Sequence, residues 1–290
     1  MADYRLISDV TADVSDSMML GVPPVERLPM PVKIGAQDFL YGGPDSISAE
    51  EFYHLQRAGQ FASTAQIAPS VYIEAFEPIL ASGEDILYLC FTSGLSGSWQ
   101  SAEMARRELK ERYPDRKLIC LDTLAASVGE GFLVREASRR KAEGLSIDEL
   151  ADWLTKHRLQ ACHWFTVDGF THLRHGGRVS STAAAIGSVL NIKPLLRVDE
   201  AGRLAVVQKP RGVKAAMSAL VSRMSEGWMP EMGRLAVIGH GDCPDRAQAL
   251  GERVLAACPD VDLHYACIGP VIGSHTGPDM LALVYWGSNR

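Results

Sequence analysis

The sequence predicts an α/β protein with two α/β domains. The first has a mainly parallel sheet flanked by helices, the second a mixed sheet. Three observations predict this. Up to about residue 158, short apolar runs alternate with stretches of helical periodicity, the pattern of a parallel sheet covered on both faces. Beyond it, two apolar runs flank Asp199-Glu200-Ala201-Gly202, the pattern of a hairpin and so of an antiparallel pair. The length, 290 residues, suits one large or two ordinary domains. The expected division is 1–160 and 161–290.

The elements follow in order. Tyr4–Ser8 is a short strand ending at Asp9-Val10-Thr11-Ala12-Asp13, an Asp/Thr-rich end of the kind found at the rim of an open α/β sheet. Asp9 there accepts hydrogen bonds either from ligand-loop hydroxyls or within an Asx-turn. Residues 20–35 carry four prolines and are expected to be an extended crossing segment. Ser48-Ala49-Glu50-Glu51 caps a helix over Ala49–Ala58. Ser63–Ser70 reads as a polar loop, and Pro69-Ser70 starts a helix near Val71–Ala81. Ile86–Phe91 is a buried strand, and Trp99–Arg112 a helix. Lys117–Leu121 is a strand, and Ala125–Glu143 and Ile147–Lys156 are helices. In the second half, strands are expected at Trp164–Val167, Lys193–Val198, Arg203–Val207, Arg234–Gly239, Val261–Ile268 and Leu281–Trp286. Helices are expected at Thr182–Leu190 (capped by Ser180/Ser181), Arg211–Glu226 and Asp245–Ala257. His172–Val179 reads as a basic, glycine-bearing loop and Gly269–Pro278 as a glycine-rich loop.

Composition narrows the function. The chain is 47% hydrophobic and 22% charged, ordinary for a globular protein. Its formal net charge of -6 argues against nucleic acid as the main partner. The opening MADYRLISDVTADVSDS has no basic region followed by an apolar core, and no apolar run reaches the length of a membrane span. A cytoplasmic protein that does not span a membrane is expected. The six cysteines form no C-x-x-C pair and read as core thiols in a reducing compartment, with no zinc site.

The stretch Tyr88–Gln100, YLCFTSGLSGSWQ, carries the strongest local signal. A strand ends in a turn with the hydroxyls of Thr92, Ser93, Ser96 and Ser98, and a helix follows. Gly94 and Gly97 allow close backbone approach, and free N–H groups at a helix start favour an anion. A pocket for a carboxylate or phosphate and a plain capped helix explain the stretch equally well. Three further stretches offer donors to the same ligand: the Thr64 loop, the helix start at Lys209-Pro210-Arg211, and the His275 loop. The sequence has no G-x-S-x-G, H-E-x-x-H, P-loop or dinucleotide fingerprint.

Six blocks, in order, resemble the DegV family of fatty-acid-binding proteins along essentially the whole chain. They are Ser8–Asp13, Thr64-Ala65-Gln66, Thr92–Ala102, Leu173–Ser180, Leu190–Leu196 and Ile268–Pro278 (IGPVIGSHTGP). The resemblance implies a long-chain fatty acid, palmitate- or oleate-like, in an apolar tunnel between the domains. It implies that Thr64 and Ser93, on a loop with Gly94 and Ser96, bind the carboxylate, with His275 beside the head group. Arg211 would line the entrance or assist a partner, and Arg178 would dock that partner. The partner would be a fatty acid kinase, which phosphorylates the carboxylate on ATP and so feeds phospholipid synthesis. The binding protein itself would have no catalytic residue, cofactor or metal. Val10, Ala65 and Ile67 depart from the family pattern and leave the Thr64 loop with one hydroxyl fewer. An alternative from another class is a phosphotransferase or kinase subunit, with His275 as phosphoryl carrier or base and Ser93–Ser98 as phosphate cradle. A third is an interaction protein docking through Gly176-Gly177-Arg178.

Overall fold

A computed structural model of the chain describes residues 4–179, 191–288 and 290. Strand β1 (Tyr4–Asp9) lies inside an all-parallel sheet with β2 (Glu26–Leu28), β6 (Asp85–Cys90) and β7 (Leu118–Asp122), in the order β2-β1-β6-β7. Strand β6 is a continuous apolar run because both of its faces are covered. One face packs Ile86, Tyr88 and Cys90 against α2 (Pro69–Ala81) and α3 (Ser98–Arg112). The other packs Leu87 and Leu89 against α4 (Val128–Ala142) and α5 (Ile147–His157). Helix α5 begins in a capping box, in which the Ser146 side chain accepts from the Glu149 N–H and the Glu149 side chain from the Ser146 N–H.

The second half is a mixed six-stranded sheet, as expected. It is built from β8 (Ala161–Thr166), β9 (Leu195–Val198), β10 (Leu204–Gln208), β11 (Leu235–His240), β12 (Asp262–Cys267) and β13 (Leu281–Trp286). Their order is β10-β9-β8-β13-β11-β12, and only β11 and β12 run parallel. Alternation along β13 divides two cores. Leu281, Leu283 and Tyr285 meet α7 (Val213–Gly227) and α8 (Pro244–Ala257). Ala282, Val284 and Trp286 face α4, which therefore lies between the two large sheets.

Several expectations need correcting. Residues 20–35 are not only a crossing segment. Met30–Ile34 (β3) pairs with Gln37–Tyr41 (β4) and Ala62–Thr64 (β5) in a small antiparallel sheet, order β4-β3-β5. Met30, Val32 and Ile34 are buried while Pro31 and Lys33 are exposed, a period of two that the surrounding prolines mask. Thr64 therefore ends a strand rather than sitting in a loop. The two glycine-bearing "loops" of the second half each hold a helix, α6 (Thr171–His175) and α9 (Pro270–Thr276). Gly273 stands inside α9 because a Cβ there would come within 2.7 Å of the Tyr53 hydroxyl on α1 (Ala49–Arg57). Its role is close packing, not a turn. The helix expected from Ala125 starts at Val128, because Leu124 and Ser127 take positive φ. The helix expected from Arg211 starts at Val213, because Gly212 at φ +78° breaks the turn. The helix expected over Thr182–Leu190, with Ser180 and Ser181 as caps, lies outside the described residues.

Candidate functional site

The mixed sheet, the small antiparallel sheet, α9 and the segments that follow β1 and β6 line a cavity of about 280 Å³. Phe91, Phe165, Leu173, Val198, Ile272 and Met280 supply its apolar walls. A cluster of polar groups closes one region. Thr64 Oγ1 lies 2.9 Å from His275 Nε2, joining the end of β5 to α9. A Cβ on Gly176 would stand 2.1 Å from His275 Nδ1, so the backbone after α6 can touch the ring only at a glycine. Arg178 also lines the cavity, donating from Nε to the Leu95 carbonyl at 3.3 Å and from Nη1 to the Gly176 carbonyl at 2.5 Å. Ser96 lines it from the β6–α3 loop, 3.0 Å from Ser98 Oγ. Outside, Phe61 stacks on His175 at 4.5 Å and tilts against His172 at 5.4 Å, tying β5 to α6.

Burial dominates the electrostatics here. It pushes His275 down to about 4, and the charges of Arg178 and His175 act in the same direction. His275 is therefore neutral at physiological pH, and its Nδ1 is buried without a partner among the described residues. Burial also lowers the Arg178 guanidinium from its ordinary value, although Arg178 remains a cation. Fixed cationic charge, hydroxyls and a neutral imidazole suit one carboxylate whose chain extends along apolar walls.

Of the residues singled out from the sequence, Thr64, Ser96, Arg178 and His275 line this one cavity. Ser93, Gly94 and Arg211 do not. The Ser93 N–H donates to Asp122 Oδ1 at 3.2 Å. Gly94 lies under the β9–β10 turn, where a Cβ would stand 2.5 Å from the Gly202 carbonyl oxygen. Arg211 is exposed and bridges to Ile192. The N–H groups of the β6–α3 loop are largely used within the protein: Gly94 N–H by Thr92 Oγ1, Leu95 N–H by the Thr92 carbonyl, Ser98 N–H by Ser96 Oγ. A phosphate cradle would need them free.

Beneath the cavity lies a buried acidic network. Thr11 Oγ1 contacts Asp9 Oδ1 and lies 2.7 Å from Glu130 Oε2. Asp9 also accepts from the Tyr88 hydroxyl at 2.8 Å, and Glu130 from Ser8 Oγ at 3.3 Å. Thus Asp9 serves strand-end and core groups. Burial raises both carboxyls above their ordinary values. Sequence reading overlooked Glu130, Thr11 and Ser127 as wall or floor residues, and His163 as well. The available signal for His163 was a polar residue two positions from Phe165 in an otherwise apolar strand.

Two sheets around an apolar cavity with one polar, cationic cluster define an α/β protein organised to enclose an amphipathic small molecule. The family model described as "Uncharacterised protein, DegV family" matches residues 4–287. A DegV domain-containing protein of Clostridium perfringens is 37% identical over 290 residues, covering 100% of this chain and 99% of that relative. The chain belongs to the DegV family. Among solved structures, a fatty-acid-binding DegV family protein from Thermus thermophilus is 28% identical. Its TM-score is 0.85, over 99% of this chain and 100% of that one. The Streptococcus pneumoniae fatty acid kinase B3 protein, solved loaded with linoleic acid, shares the fold. It has a TM-score of 0.86 at 23% identity, over 99% and 100% of the two chains. Among the described residues no helix is long and apolar enough to cross a membrane.

Proposed function

We propose that this protein is a non-catalytic, cytoplasmic carrier. It binds one long-chain fatty acid in the cavity and offers its carboxylate to a fatty acid kinase. The observation that carries the reading is the contact chain Thr64–His275–Gly176–Arg178 at one region of a cavity with a broad apolar wall. The Thermus thermophilus neighbour, whose ligand is a fatty acid, supports the same reading. The proposed head group lies at Thr64, His275, Arg178 and Ser96, and the chain runs past Phe91 and Phe165. Burial of methylenes at about 0.8 kcal/mol each supplies most of the affinity. The two units, 1–160 and 161–290, contribute opposite walls. Presentation to a kinase is supported by the pneumococcal neighbour's own designation. Arg174 and His175, exposed on α6 above the polar cluster, form a basic approach for such a partner, and Arg211 adds an exposed cation elsewhere.

Native mass spectrometry of freshly purified protein, with lipid analysis of what it releases, tests the binding. A one-to-one adduct of a saturated or monounsaturated fatty acid is expected. Thr64→Val and His275→Ala should each weaken uptake roughly tenfold, the loss of one hydrogen bond to a charged group. A protein that carries no adduct and takes up neither palmitate nor oleate would sink the proposal.

A further inference from the structure

Exposure along the cavity lining locates its mouth. Among the described residues that line it, only Ala65 and Gln66 are exposed. Half-buried lining residues stand beside them: Thr64 precedes Ala65, and Gly97 faces Gln66 from the β6–α3 loop, next to Ser96. Phe91, Phe165 and Met280, by contrast, are buried. Solvent therefore meets the cavity between the end of β5 and the start of α3, at the polar cluster and not along the apolar wall.

Gln66 spans that gap. Its Nε2 donates to Ser101 Oγ, at the start of α3, at 2.9 Å. Its amide lies against Gly97, where a Cβ would stand 1.9 Å from Oε1 and 2.9 Å from Cδ. Gly97 has a negative φ of -78°, so its backbone does not call for glycine. The missing side chain makes room for the Gln66 amide. Ser101 is 2% exposed and does not line the cavity. The bridge is thus one hydrogen bond from a solvent-facing side chain to a fixed hydroxyl. One such bond, worth little net of its exchange with water, holds the side chain closed for most of the time and not for all of it.

We propose that Gln66 is the gate of this cavity: the fatty acid enters and leaves, and its carboxylate is reached from outside, only while the Gln66–Ser101 contact is open. The proposal rests on the fatty-acid reading above. An exposed side chain changes rotamer on the order of nanoseconds, so ligand traffic samples the average open fraction. The gate closes over the empty and the loaded cavity alike. It therefore slows entry and exit by the same factor and leaves Kd unchanged. A residue that only touched the ligand would change Kd.

Stopped-flow fluorescence of the delipidated protein with cis-parinarate, a fluorescent long-chain fatty acid, tests the gate. Gln66→Ala and Ser101→Ala should each raise the association and dissociation rate constants roughly three- to tenfold, with Kd within about twofold of the parent's. The double variant should be no faster than either single one, because both remove the same contact. Parent-like rates in either variant, or a changed Kd carried by dissociation alone, overturn the gate. Refusal of parinarate by the parent overturns the fatty-acid reading, and the gate with it. If either variant does not fold, Gly97→Ala decides, because its methyl displaces the Gln66 amide. It should exchange ligand faster by the same factor, and parent-like rates there overturn the gate.

Discussion

Thr11 has one hydroxyl proton and two carboxyl neighbours, Asp9 and Glu130. It can donate to only one of them, so the other carboxyl holds a proton of its own and donates back. Asp13, a few residues on, is the more tractable member of this acidic floor. It accepts from Ser127 and from the Gly269 N–H at 2.8 Å, and burial raises it to about 7. Unfolded, it ionises near its ordinary value of 3.8. Between those values the native state keeps a proton that the unfolded chain has lost. Its contribution to stability is therefore full below about pH 4 and is lost as the pH rises towards 7. Asp13→Asn cannot ionise. Its stability relative to the parent should rise by roughly 2–3 kcal/mol between pH 5 and pH 8. Urea unfolding at the two pH values measures this, and parallel curves for the two proteins would contradict it.

The hairpin β9–β10 shows how one element is fitted to another. Thr92 Oγ1 donates to the Gly202 carbonyl at 3.0 Å, so the hairpin tip of the second half sits on the β6–α3 loop of the first. Gly202 adopts φ +71°, and a Cβ there would lie 1.9 Å from Thr92 Oγ1. Gly202→Ala meets both backbone strain and a collision, and should cost about 2–4 kcal/mol. A denaturation midpoint equal to the parent's would refute the fit. The sequence makes this hairpin legible, as it does the parallel run of β1, β6 and β7, because apolar period and turn residues are local signals. It conceals where Gly94 points. Gly94 reads as a ligand-approach glycine, yet the backbone it admits is that of Ala201 and Gly202, more than a hundred residues away. Helices α6 and α9 are concealed for a related reason. Their glycines answer neighbours in space, His275 and Tyr53, rather than neighbours in sequence. Within the cavity, Thr64, Ser96 and His275 could be named from motif residues. His163 could not, since the packing of β8 against the start of α4 is what brings it to the wall.

At the scale of the whole molecule, surface charge does little to join the halves. Arg57 pairs with Asp242 and, at 3.5 Å, with Asp279. These side chains are between 28% and 39% exposed, so such pairs contribute on the order of 0–1 kcal/mol each. Apolar contact around α4 matters more, and so would a ligand in the cavity. A ligand that binds only the folded state stabilises it by about 2.7 kcal/mol at a hundred times its Kd. Delipidated protein should therefore melt several degrees lower than the protein as purified, and added oleate should restore the difference in scanning calorimetry. Equal melting temperatures with and without lipid would argue that the cavity is not the binding site.

Helix α4 also sets a timetable. Its buried residues serve sheets on both sides, but the second sheet's β13 ends at Trp286, 144 residues after α4 ends at Ala142. At ribosomal rates of roughly 5–20 residues per second, one flank of that helix waits about 7–30 seconds for its cover. During that interval β8 (Ala161–Thr166) is the one strand made early enough to cover part of that apolar flank. The chain thus passes through a stage with a sticky surface of its own, which ribosome-associated chaperones are suited to shield.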